Sequence, residues 1–137
     1  LEWLSASNGW GPVERDMSNG ENQAGDGRTI SLGGVEHEKG LGVHAPSEVR
    51  VYLGGACTRF TAWIGIDDEI PDYGSVRFSV LGDGTELYRS GVLTGLSDPV
   101  ETVVDVSGVS VLTLMVDDAG DGATGDHADW ASAHLSC

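Results

Sequence analysis

Short stretches of alternating apolar and polar residues, separated by glycine-rich turns, run along most of the chain. In residues 48–53, for example, Val49, Val51 and Leu53 alternate with polar or amphipathic positions. A period of two is typical of half-buried β-strands, and no segment has the period near 3.6 that would indicate a helix. The pattern predicts about ten strands, at residues 1–5, 29–32, 41–44, 48–53, 58–66, 76–81, 86–89, 100–106, 109–116 and 128–136.

Many short strands and 21 glycines in 137 residues are typical of an all-β antiparallel sandwich or barrel. The length suits one domain, residues 1–137, with its own core. If each connection reverses the chain, the long polar segments and His44 lie at one end of the sandwich. The short glycine turns, at 54–55, 82–84 and 107–108, lie at the other. Binding residues concentrate in long loops, so the loop-rich end is the candidate functional end.

The most polar segment, residues 116–130, contains five aspartates, one histidine and three glycines. Such a loop repels itself unless it is well solvated, bonded to polar partners or neutralised by a cation. Asp118, Asp121 and Asp126 have a spacing compatible with Ca²⁺, which accepts several oxygen ligands in irregular geometry. The pattern is not an EF-hand, because the bidentate glutamate is missing. The segment is therefore either one wall of a polar binding site or a solvated surface loop.

Five residues of the loop-rich end suit a neutral, polyhydroxylated ligand. Trp10, between two glycines, offers a flat apolar platform for a sugar ring, unless it folds back and caps the sandwich. Glu14 and Arg15 supply acceptors and a rigid fork of donors, unless they form a local ion pair. His44 and His127 can each donate and accept hydrogen bonds, with a structural role as the alternative.

The charge balance narrows the partners. With 7 basic and 22 acidic side chains the net charge is −15, which argues against nucleic acid or an anionic membrane surface. No apolar run approaches the ~18 residues of a membrane span. Neutral ligands, metal cations and basic proteins remain. No nucleophile elbow, phosphate loop or catalytic Cys/His arrangement is present, so we expect a non-catalytic domain.

The two cysteines, Cys57 and Cys137, either form a disulfide or remain free. Cys57 opens one predicted strand and Cys137 closes another, and the strand count places both at the glycine-turn end. A disulfide is geometrically sensible there and would indicate an oxidising, extracytoplasmic setting.

Several motifs in order resemble those of the NPCBM domain, which is classed as carbohydrate-binding module family 51. They are GWGPVERD at 9–16, GLGVHA at 40–45, FTAWIGIDDE at 60–69, GSVRFSV at 74–80, DAGDG at 118–122 and DHADWA at 126–131. The resemblance covers nearly the whole chain. Where many relatives have an acid after Trp130-Ala131, this chain has Ser132.

The resemblance implies a galactose-binding-domain-like jelly roll, often with a structural calcium. It implies a secreted module that is attached to the catalytic domain of a glycoside hydrolase and binds terminal galactose or related sugars. Carried over by position, the sugar site falls near Trp10, Glu14, Arg15, His44 and His127. The alternative is a calcium-stabilised protein-interaction or scaffold sandwich without sugar binding.

Overall fold

The computed structural model describes residues 5–7, 13–15, 17, 29–67, 75–94, 98–118 and 127–137. This part of the chain forms β-strands joined by turns. The strands are β1 (Ser5–Ser7), β2 (Glu14–Arg15), β3 (Ile30–Leu32), β4 (Val35–His37), β5 (Gly40–His44), β6 (Ser47–Tyr52), β7 (Arg59–Ile66), β8 (Ser75–Gly82), β9 (Thr85–Arg89), β10 (Leu93–Thr94), β11 (Val100–Asp105), β12 (Val111–Asp117) and β13 (His127–Ser136). Among the described residues, no helix is long and apolar enough to cross a membrane.

The strands form two main antiparallel sheets. The first has the order β1-β6-β12-β8-β10, with β9 paired to β8, and the second has the order β11-β7-β13-β5-β2. The predicted all-β antiparallel sandwich is confirmed.

The core lies between these sheets and is built from the inward-facing half of each alternating strand. Phe60, Ile64, Phe78 and Leu114 are fully buried, as is Trp130 at its centre. The Trp130 indole packs edge-on against Phe60 and Phe78, with ring centroids 6.0 and 4.9 Å apart. Aromatic rings prefer this T-shaped arrangement because the positive edge of one faces the negative face of the other.

The glycine-turn end is closed by backbone hydrogen bonds between neighbouring turns. Gly55 N donates to Val109 O, and Asp83 N donates to Val111 O, each at 2.9 Å. Cys57 and Cys137 form a disulfide at this end, beside the hydrogen bond from Thr58 N to Ser136 O. The predicted disulfide is therefore confirmed.

The structure differs from the sequence-based strand assignment in one substantial way. Residues 30–32 do not join a main sheet but pair with β4 in a separate two-stranded hairpin. Ile30 and Leu32 of this hairpin form a second, small core with Ala131, on the outer face of the five-stranded sheet. Strands β2, β4 and β10 were also missed, because two or three residues are too few to show an alternation. Of the predicted strand 1–5, residues 1–4 lie outside the described residues.

Candidate functional site

Strand ends from both sheets meet at the loop-rich end. In the five-stranded sheet, His44 at the end of β5 lies opposite His127 at the start of β13. In the other sheet, Ser47 at the start of β6 lies opposite Val116, near the end of β12. Residues 44–47, 116–118 and 127 therefore lie at a single end, with the disulfide at the opposite end.

The two histidines are brought together by strand register. On β5, Leu41 and Val43 face the core, and on β13, Ala128 and Trp130 do so. Because side chains alternate between the two faces of a strand, His44 and His127 both lie on the outer face of the five-stranded sheet.

The two rings form a buried pair. Their centroids are 4.9 Å apart and their planes are inclined by 75°, and the residues are only 1% and 4% exposed. His44 Nδ1 lies 2.8 Å from the carbonyl oxygen of Ala45. Since a carbonyl only accepts hydrogen bonds, Nδ1 carries a proton and is the donor in this contact.

Two buried carboxylates accompany the histidine pair. Asp129 is fully buried and lies on the same face as His127, in register between Gly42 and Gly65. Asp67 is 2% exposed; its backbone N–H donates to His127 O at 3.0 Å, and its Oδ2 accepts from Ser31 N at 3.2 Å. Carboxylates add acceptors to a site where the histidines can both accept and donate.

Asp129 belongs to the polar segment 116–130 but is not among the individual site residues that the sequence predicts, although a signal for it exists. Once Ala128 and Trp130 are assigned to the core, the period of two places Asp129 beside His127 on the outer face. The spacing of the loop aspartates does not indicate Asp129, because this residue belongs to β13 and not to the loop.

The other predicted sugar-site residues are only partly described. Glu14 and Arg15 form β2, and their backbones pair with Gly42 and Leu41 of β5, so the segment runs beside the strand that carries His44. Trp10 lies outside the described residues. The predicted contacts of all three side chains remain predictions.

Of the three predicted calcium ligands, the structure describes only Asp118. Asp118 directly follows β12 and is half-buried, whereas Asp121 and Asp126 lie outside the described residues. In the described part of the chain, no group of three or more His, Cys, Asp or Glu side chains has the geometry to hold a metal ion. The calcium site therefore remains a prediction.

Known proteins resemble this chain over its whole length. The NPCBM/NEW2 domain profile matches residues 1–136. A putative endo-alpha-N-acetylgalactosaminidase from Renibacterium salmoninarum is 45% identical over 138 residues, which is 100% of this chain and 9% of that protein. Alpha-1,3-galactosidase B from Akkermansia muciniphila is 34% identical over 74% of this chain and 13% of its own length. The chain thus spans about a tenth of the curated relatives that it matches.

Solved structures agree with the fold in detail. The family 51 carbohydrate-binding module from Clostridium perfringens GH95, in complex with methyl-galactose, has a TM-score of 0.89 and 35% identity, covering 99% of this chain and 95% of that one. A second such module, from Clostridium perfringens ZmpB in complex with GlcNAc, also has a TM-score of 0.89, with 32% identity over 98% of this chain and 30% of that one. The chain belongs to the NPCBM/NEW2 domain family, and thus to carbohydrate-binding module family 51.

Proposed function

We propose that this domain binds the terminal galactose, or a related neutral hexose, of a glycan at its loop-rich end. The observation that carries the proposal is the register of β5 and β13, which places His44 against His127 where the long polar segments begin and end. One family 51 module with 35% identity holds methyl-galactose and another with 32% identity holds GlcNAc, so both support a neutral pyranose as the ligand. The names of the two curated relatives, an endo-alpha-N-acetylgalactosaminidase and an alpha-1,3-galactosidase, favour a galactose-type sugar.

The histidine pair and its carboxylates form the floor of the proposed site. Sugar hydroxyls both donate and accept hydrogen bonds, so a site for them needs acceptors and donors held in fixed positions. The hydrogen bond from His44 Nδ1 to Ala45 O fixes one ring, and the T-shaped packing fixes the other. Trp10, Glu14 and Arg15 are proposed as the wall, with Trp10 stacking on the apolar face of the sugar ring.

The biological role proposed for the domain is targeting. Both curated relatives carry the names of glycoside hydrolases, and the match to this chain covers only 9% and 13% of their lengths. A non-catalytic module that holds a terminal sugar would keep an attached catalytic domain close to its glycan substrate, raising the local substrate concentration. The disulfide suits an extracellular location for such an enzyme.

Calcium is proposed as a structural ion in segment 118–126. Asp118, Asp121 and Asp126 would supply carboxylate oxygens, and the ion would offset the repulsion among them. If so, a chelator lowers the melting temperature of the purified domain and added Ca²⁺ restores it, whereas Mg²⁺ does not. An identical melting temperature in chelator and in Ca²⁺ would contradict this part of the proposal.

Titration calorimetry with methyl galactoside tests the sugar site. The wild-type domain should bind with a dissociation constant in the micromolar to millimolar range, and His44→Ala and His127→Ala should each weaken binding by about tenfold or more, the cost of one or two polar contacts. His134→Ala is the matched control, since His134 is an exposed histidine near the far end of β13. Unchanged affinity in both site variants, or equal loss in the control, would refute the assignment.

A further inference from the structure

Trp63 forms a second aromatic surface that the proposed site does not use. It lies on the outer face of β7, opposite Glu101 of β11 and Ala131 of β13. Its side chain is 37% exposed, although it sits within the five-stranded sheet. An indole that the fold holds in place but leaves open to solvent is a ready apolar platform.

Two depressions border the indole, one apolar and one polar. The apolar groove has a volume of about 330 Å³ and is lined by Leu32, Gly33, Val35, His37, Trp63 and Pro99. The polar depression, of about 150 Å³, is lined by Thr61, Ala62, Trp63, Glu101 and Ser132. Trp63 is thus the shared wall of both, with hydroxyl and carboxylate groups on one side and aliphatic groups on the other.

The wall of the groove is formed by the β3–β4 hairpin, which is fastened to the sheet. Ser132 N donates to Lys39 O at 2.7 Å, just after β4, and His37 Nδ1 lies 2.8 Å from Ser132 Oγ. Ser132 has a φ of 51° at the bulge in β13, an unusual conformation for a residue other than glycine. These contacts hold the groove open in a preformed shape.

Gly33 completes the groove at the hairpin turn. It has a φ of +57°, and a β-carbon there would come within 2.9 Å of Pro99 Cδ. A larger residue would therefore both strain the turn and push the hairpin away from Pro99. The close approach of Gly33 to Pro99 shapes the apolar end of the groove.

We propose that the Trp63 groove, by which we mean the apolar groove and the adjoining polar depression that both border the indole, is a second carbohydrate-binding subsite, which takes one neutral pyranose ring. A pyranose has an apolar C–H face and a hydroxylated rim, matching an indole platform with polar groups at one edge. The ring stacks on Trp63, while Glu101 accepts hydrogen bonds from its hydroxyls and Ser132 exchanges one with it. The net charge of −15 and the carboxylate beside the indole disfavour an anionic sugar. The groove volume lies at the lower end of the range for ligand pockets, which limits the occupant to about one ring.

Tryptophan indole N–H resonances in two-dimensional NMR test this subsite separately from the loop-rich end. The ¹⁵N-labelled domain is titrated to high millimolar concentration with methyl galactoside, N-acetylglucosamine and cellobiose in turn. The subsite predicts that at least one of these sugars shifts the Trp63 indole signal together with the Glu101 and Ser132 amides. Trp63→Ala should abolish the amide shifts, and Glu101→Gln should weaken binding by about fivefold or more through loss of a charge-assisted hydrogen bond.

Val103→Ala is the matched control, because Val103 is an exposed apolar residue, 59% accessible, on the same sheet face but outside both depressions. It should leave the titration unchanged. Glu101 is exposed, so its replacement keeps the domain folded even if the Trp63 variant does not. Absence of any Trp63 shift with all three sugars would overturn the proposal, and so would an unchanged affinity in Glu101→Gln. Shifts confined to residues around His44 and His127 would overturn the second subsite while supporting the first.

Discussion

The disulfide between Cys57 and Cys137 should supply a large share of the domain's stability. The perturbation is the double variant Cys57→Ala/Cys137→Ala, which removes the bond and keeps a small apolar side chain at the buried position 57. The two cysteines are 80 residues apart in sequence, so the bond closes a loop of more than half the chain. In the chain-entropy model, a loop of that length raises the free energy of unfolding by about 4.5 kcal/mol.

The loss of this free energy can be expressed as a fall in the melting temperature. An unfolding entropy of about 2.1 cal/mol/K per residue gives about 0.29 kcal/mol/K for a chain of this length, so loss of the bond lowers the melting temperature by about 15 °C. The variant should still fold at room temperature, since the turns of the glycine-turn end retain their hydrogen bonds, among them the 2.8 Å bond from Thr58 N to Ser136 O.

Differential scanning calorimetry measures the effect, with the wild-type domain in reducing agent as the control for loss of the bond without a change of side chain. Because the bond acts mainly on the unfolded chain in this model, the unfolding enthalpy at a common temperature should be unchanged. A fall of less than about 5 °C in both samples would refute the loop-entropy argument. A loss that appears mainly as enthalpy would show that the bond acts on the packing of the folded state.

Three further perturbations follow from individual contacts. The buried Thr102 hydroxyl has no hydrogen-bond partner within the described structure, and burying such a group lowers the free energy of unfolding by about 1–2 kcal/mol. Thr102→Val should therefore raise the melting temperature by about 3–7 °C. Thermal melts that show destabilisation would contradict this. Asp83 accepts hydrogen bonds from the Ser110 and Val111 amides, which hold the pKa of its carboxyl below the ordinary value. The ionised carboxylate of Asp83 therefore stabilises the fold above pH about 4, and this contribution is lost as the pH falls through the lowered folded-state pKa. In Asp83→Asn, the difference in melting temperature between pH 6 and pH 3 should be smaller than in the wild type. Gly40→Ala should prevent stable folding or detach β5 from β13, because the added β-carbon would overlap the Trp130 carbonyl oxygen at a φ of +144°; a wild-type amide spectrum would refute this.

Much of the fold could be predicted from the sequence because the long strands alternate cleanly. The inward residues of β6, β7, β8 and β12 are those with a period of two in the sequence. The alternation of strand direction predicts the glycine turns and both cysteines at one end, and the disulfide and the hydrogen bonds between the turns confirm this.

The β3–β4 hairpin could not be predicted in the same way. Ile30 and Leu32 look like part of a main strand, but they cover the outer face of the sheet and pack on Ala131. A strand pattern shows that one face is buried; it does not show which partner buries it. One wall of the Trp63 groove is this hairpin, so the groove could not be predicted from the sequence either.

The part of the candidate site that could be predicted is the part that follows from the order and direction of the strands. His44 and His127 were singled out from their positions at predicted strand ends, and the structure brings them into contact. The position of Asp129 beside His127 also follows from the period of two along β13. The burial of these three side chains depends on packing across several strands, which local sequence patterns do not encode.

The central claim, that a sugar binds at the loop-rich end, is tested most directly by mapping backbone amide shifts of the ¹⁵N-labelled domain during titration with methyl galactoside. A sugar bound at this end should cause saturable shifts clustered at residues 44–47, 66–67, 116–118 and 127 and leave the amides beside the Cys57–Cys137 disulfide unmoved. Saturable shifts centred on the disulfide end, or no shifts at saturating sugar, would contradict it.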